Sequence, residues 1–242
     1  MKQVLALPFL LFANAAVADD MAQQFQLHLN SDLGGAGSTV KATGSLAYQW
    51  SGVFLGQADI GMAKLSESSS TDMSLGLHAG YAFSDQFSAA FFMEWEGIDA
   101  ESKNYIFHGG EFSFTDDDVK IQLYARKQGE NFPAYENFVF GGNAWVHVND
   151  GLTLVGLGAL MDNDETDRFT TLIAAGIDYT LPNGLTLSGE LATWEKRVNW
   201  VPNASGESIS LGVKYQFGNQ DLLFPDRSTI GNQFGTDLIP VF

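Results

Sequence analysis

The chain has 242 residues, with 29 Asp and Glu against 12 Lys and Arg, a formal net charge of −17, and no cysteine. Such acidity argues against a nucleic-acid partner, which would call for a basic surface, and a chain without cysteine has no disulfide framework. With 45% apolar residues and 26 glycines, the length suits one large β domain.

Residues 1–18 read as a secretory signal. Lys2 gives the positive start, Val4 to Phe12 the apolar run, and Ala16-Val17-Ala18 the small-residue cleavage site before Asp19. Cleavage there removes one lysine and no acid, so the mature chain is more acidic still. No later apolar run approaches the roughly 20 residues of a membrane-spanning helix. An exported chain of this kind is either soluble or a β-barrel.

Turn signals then recur at Ser51-Gly52, Ser84-Asp85-Gln86, Asp116-Asp117-Asp118, Asn149-Asp150-Gly151 and Pro182-Asn183-Gly184, spaced by roughly 32 to 33 residues, with a like step on to Phe217. The mature chain to Phe217 reads as repeated out-and-back units, and both ends on one side make the strand count even, twelve in all. Asp150-Gly151 suits a tight hairpin with positive φ, and Pro182-Asn183-Gly184 a type I turn. The opposite connections, near 31–39, 66–72, 99–104, 128–136, 162–167 and 199–206, are longer and mostly acidic or rich in Ser, Asn and Gly. Short turns on one side and long loops on the other are the asymmetry of a transmembrane antiparallel barrel, with periplasmic turns and extracellular loops.

In chain order, Phe25 to Asn30 is short for a spanning strand, which needs about 9 to 11 residues. Val40 to Ser51 and Met73 to Ser84 alternate apolar with small or polar residues, as do Phe87 to Glu96, Asp118 to Lys127, Arg168 to Leu181 and Leu185 to Trp194. Val53 to Leu65, Tyr105 to Thr115 and Leu152 to Met161 do not separate two faces, so their lipid-facing side stays unassigned. Aromatics gather at strand ends. Tyr48, Trp50, Tyr81, Phe83, Phe112, Phe114, Trp145 and Tyr179 lie toward the tight turns; Trp95, Tyr105, Phe107, Tyr124, Phe138, Phe169 and Trp194 lie toward the loops. Two belts are what membrane interfaces select.

The last regular strand, Ser208 to Phe217, alternates strictly, with Ser210, Gly212, Tyr215 and Phe217 as its closing pattern. This resembles the closing-strand signal of Gram-negative outer-membrane barrels, which implies recognition by the barrel-assembly machinery. With the hairpin Pro182 to Gly189, it makes residues 19–217 similar to an outer-membrane porin-type barrel, nearest the alphaproteobacterial kind. In that family the closing strand ends the protein, whereas here 218–242 follow with Pro225 and Pro240, and these are expected to form a periplasmic extension.

The resemblance implies an outer-membrane channel for ions and small hydrophilic solutes. Inward positions read from the alternation are mostly small: Thr43, Ser45, Ala47, Ser74, Gly76, Ser88, Ala90, Ala174, Gly176, Ser188 and Gly212. Charged inward positions are Lys41, Glu94, Glu96, Glu111, Lys120, Arg126, Asp178, Glu190 and Lys214. Hairpin arithmetic puts Asp178 diagonal to Glu190, Glu190 diagonal to Lys214 and Glu111 diagonal to Lys120, with Glu94 and Glu96 two strands from Arg126. Such rows either pair to satisfy charge or set the field that ions cross; the excess of acid points to a weak cation preference. Expected partners are outer-membrane lipid, lipopolysaccharide and solutes; association with further copies of the chain is left open.

The rival readings are a plugged structural or adhesive barrel and a barrel lipid hydrolase. None of His28, His78, His108 and His147 has the spacing to Ser and Asn or Asp of a barrel phospholipase, and His78 reads as a hydrogen-bonded lining residue. Asp162 to Asp167 lacks the glycine and terminal Glu of a calcium loop and reads as a solvated acidic loop. No catalytic residue, metal or cofactor is expected.

Overall fold

The computed structural model describes residues 21–33, 38–50, 53–65, 71–98, 103–129, 137–163, 168–198 and 201–217. The expected signal peptide, the extension 218–242 and most of the acidic loop lie outside these residues. The described chain is all β: β1 (Met21–Asp32), β2 (Ser38–Trp50), β3 (Phe54–Leu65), β4 (Asp72–Ala82), β5 (Phe87–Ile98), β6 (Lys103–Thr115), β7 (Val119–Gln128), β8 (Asn137–His147), β9 (Leu152–Asn163), β10 (Arg168–Thr180), β11 (Leu185–Val198) and β12 (Val201–Phe217). Each strand pairs antiparallel with its chain neighbours, and β1 pairs with β12 from Gln23↔Phe217 to Asp32↔Ser208, closing the sheet. Closure removes both free edges, so no row of backbone amides is left unpaired.

The expected turn Ser51-Gly52 lies outside the described residues, and the other tight turns close through local backbone hydrogen bonds. At 181–184 the Gly184 amide donates to the Leu181 carbonyl at 2.9 Å, and Gly184 takes φ 82°, where a side chain would be strained. Positive φ was also expected at Gly151, but among the described glycines only Gly184 adopts it. Asn149 makes that reversal instead. Its Oδ1 accepts the amides of Gly151 and Leu152, each at 3.0 Å.

The first strand is longer than its alternation suggested, because β1 is held on both sides by β2 and β12. β12 is longer too. It begins at Val201, so the expected loop 199–206 is mostly strand, with a register shift at Lys196/Arg197 opposite Pro202. Proline has no amide for the ladder, and a bulge is where a strand tolerates it.

One face of most strands is largely apolar and open. Ile173 and Leu191 are 65% and 60% exposed, and Leu77, Phe91, Phe140 and Leu211 stand out likewise. The opposite face turns inward, where side chains two strands apart touch. The strands that alternation left unassigned are settled by this: Leu55, Gln57 and Asp59 on β3, Tyr105, Phe107 and Glu111 on β6, and Val155, Leu157 and Ala159 on β9 point inward.

Candidate functional site: the inner wall of the barrel

The small inward residues expected from alternation share the inner face with every expected charged position. The hairpin arithmetic holds for some of the charges and fails for others. Asp178 pairs with Ser188 and Glu190 with Gly176, so these two acids are diagonal. Glu190, however, pairs with Ser210, four residues from Lys214, because β11 and β12 meet nearer residue 200 than the loop centre assumed. Lys214 reaches across to Asp178 instead, Nζ to Oδ2 at 2.9 Å. Glu111 is not diagonal to Lys120 either. It pairs with Tyr124, and Lys120 pairs with Thr115 at the turn.

The largest ionic group crosses β5 to β7. Arg126 donates from Nη1 to Glu94 Oε2 at 2.7 Å and lies 3.7 Å from Glu96 Oε1, two strands away as expected. Its guanidinium sits 4.3 Å from the centroid of the Phe107 ring, which covers one face of the cation. The strand between makes room. A Cβ at Gly109 would collide with the Ala125 carbonyl oxygen and come within 2.8 Å of the Phe92 ring and 2.9 Å of Arg126 Cα, so only glycine lets β6 lie this close to β7 and to Phe92.

Beside it runs a hydrogen-bonded row from β3 to β8. Asp59 Oδ2 lies 2.7 Å from His78 Nε2, and His78 Nδ1 lies 2.5 Å from Glu111 Oε1. Gln122 Nε2 then donates to Glu111 Oε2 at 2.9 Å, and Asn143 Nδ2 donates to Gln122 Oε1 at 3.2 Å. Asp59 was absent from the expected set because β3 gave no clean alternation. Its partner His78 is the hydrogen-bonded lining residue that was expected.

One patch of the inner wall across β7 to β11 is apolar. Tyr124, Val139, Leu157, Ala159, Leu172, Ala174 and Ala192 pack together, with Met161 and Trp194 against them. This corrects the aromatic belts. Trp194, Tyr124, Tyr105, Phe107 and Trp145 were expected at the membrane interface, yet all five lie on the inner face. Parity on their own strands carries the signal for two of them: Leu187 and Leu191 face out, so Trp194 faces in, and Leu123 does the same for Tyr124. Tyr48, Trp50, Tyr81, Phe83, Trp95 and Tyr179 are exposed on the outside. Rings run in contact from Trp50 through Phe54 to Tyr81, with centroids 6.2 and 5.6 Å apart. In β12, Ser210 and Gly212 face in, while Tyr215 and Phe217 meet edge to face at 4.5 Å on the outer side.

Exposure separates the inward charges. The side chains of Asp59, Glu94 and Lys214 are 28%, 22% and 26% exposed, and Lys120 is partly open. Lys41, Glu96, Glu111, Arg126, Asp178 and Glu190 are buried. Wall pairing holds Glu96, Glu111, Arg126 and Asp178 of the second group, and the first group is the more open to a solute. His147 Nδ1 lies 2.9 Å from Thr153 Oγ1 at the rim, and no cluster of His, Asp and Glu able to hold a metal occurs among the described residues.

No protein-family model matches the sequence, and no curated protein matches it. Solved structures do. The KdgM porin aligns over 80% of this chain and 99% of its own, with a TM-score of 0.60 at 13% identity. The NanC porin aligns over 79% and 98%, with a TM-score of 0.63 at 12% identity. A structure of KdgM porin in complex with disordered oligogalacturonate aligns over 80% and 99%, at 0.58 and 12%. In fold, this protein is a porin-type barrel, a closed cylinder of twelve antiparallel strands.

Proposed function

We propose that the barrel sits in the outer membrane as a channel through which ions and small hydrophilic solutes diffuse, with a weak preference for cations. The open apolar outer face supports the membrane setting, since soluble monomers rarely expose large contiguous apolar surface. One observation carries the selectivity. The inward charges named above are six acids and four bases, and preference follows from which of them reach water and where. Asp59 and Glu94 are partly open at mid-strand, paired with His78 and Arg126, whereas Lys120 and Lys214 stand near the tight-turn rim, and Lys214 is paired with Asp178. Carboxylates in the middle of a passage favour cations, and the overall charge of −17 raises cation concentration at the mouths.

The structural neighbour named with oligogalacturonate is seen with a carboxylated sugar chain. Asp59 and Glu94 oppose such a ligand here, so liposomes carrying this protein should swell in small neutral sugars faster than in galacturonate oligomers of equal size. Reversal potentials in planar bilayers under a KCl gradient should favour potassium. An anion preference would remove the selectivity, and absence of both current and swelling would remove the channel. The packed wall of β7 to β11 favours a second reading, a filled barrel serving envelope structure, and those same silent records would support it.

A further inference from the structure

One side chain on the inner wall touches carboxylates from two different strands. His78 stands mid-strand on β4 with Asp59 of β3 at Nε2 and Glu111 of β6 at Nδ1, 2.7 and 2.5 Å away. Its ring stacks on Phe92 of β5, with centroids 5.5 Å apart and planes 28° from parallel, which blocks rotation toward the passage. The two partners differ in kind. The Glu111 side chain is 1% exposed and anchored by Gln122, whereas that of Asp59 is 28% exposed. Gln57 Nε2 adds bonds of 3.1 and 3.2 Å to the Asp59 oxygens. The neighbouring charges, Glu94 on β5 and Arg126 on β7, are bound to each other.

An imidazole so placed ties an open carboxylate to a buried, fixed one. A carboxylate whose oxygens are already engaged offers less to a passing cation than one free to turn toward it. We propose that His78 is the positioning residue that sets the selectivity of the passage, by holding Asp59 against the wall through Glu111. The proposal rests on the channel reading and concerns how strongly one acid on its wall acts.

The test is the potassium-to-chloride permeability ratio of the full chain in planar bilayers. His78→Ala should raise it about two- to threefold, the effect of presenting roughly one further charge to a solvated ion several ångströms away. His78→Gln keeps one donor and should fall between. Neither change should alter the ratio in an Asp59→Asn background, a result that simple loosening of the wall would not give. An unchanged ratio in His78→Ala overturns the proposal. If the parent protein carries no current, the channel reading fails and the positioning is read another way, by carbodiimide modification followed by mass spectrometry. Asp59 should react several times faster in His78→Ala than in the parent, with exposed Glu207 as the internal reference. Equal rates would overturn it.

Discussion

Two sectors of the same inner wall solve the problem of facing inward in opposite ways. Across β3 to β8, ionised and amide side chains reach over intervening strands, and Arg126 with its acids and the row from Asp59 to Asn143 leave few buried charges without a counterpart. Across β7 to β11, Val139, Leu157, Leu172 and Trp194 pack as a core would. Both sectors hang on the same ladder and expose the same kind of apolar outer face. The difference shows that closure of the barrel fixes only the direction of a side chain. What the interior does there depends on whether buried groups must find charged partners or only shape complements.

The contrast can be broken most forcefully at Arg126. Arg126→Met strands Glu94 and buried Glu96, and should cost about 3 to 5 kcal/mol, read as a lower urea midpoint in lipid vesicles. A loss under 1 kcal/mol would mean that the charged sector is held by something else. In the apolar sector, Leu172→Ala removes a side chain 3% exposed and should cost about 2 to 4 kcal/mol by the same measurement, with no change in ion preference. The next residue sharpens the comparison, because Ile173 points the other way and is 65% exposed. Ile173→Arg should cost about 2 to 3 kcal/mol if that face meets lipid, and close to nothing if it meets water. The smallest effect is expected near the rim: Asp178→Asn, which frees Lys214, should cost about 1 kcal/mol or less because that pair is partly solvated, while lowering the cation preference.

The same contrast explains what the sequence reveals. Where the inner face is small and polar, as on β2 and β4, period two sorts the faces unaided: Leu75 and Leu77 go out, Ser74 and Gly76 in. The three strands without a clean signal break that condition. β6 turns Tyr105 and Phe107 inward, β9 turns Val155 and Leu157 inward while Gly156 and Gly158 face out, and β3 buries Leu55 behind Gly56 and Ala58. Alternation measures a difference between faces, and these strands have little difference to measure.

Strand number and turn positions were legible because turn chemistry repeats locally. Register was legible at the 181–184 turn, where Asp178 falls diagonal to Glu190, but not at 116–118, where Glu111 lies opposite Tyr124. The cross-strand partners of Lys214 were misplaced because the segment 201 to 206, which looks like loop, is strand, with five of its six residues paired with β11. Asp59 followed from neither signal, and only the register of β3 against β4 sets it beside His78.

The chain has no cysteine, so a single introduced thiol reports one position without background. The most direct test compares Glu94→Cys, inward and open, with Ile173→Cys, outward and open, during current recording with a charged, water-soluble methanethiosulfonate. If solutes cross through the interior, modification at position 94 lowers the current in steps and modification at 173 leaves it unchanged. Current that persists after confirmed modification at 94 would contradict the account.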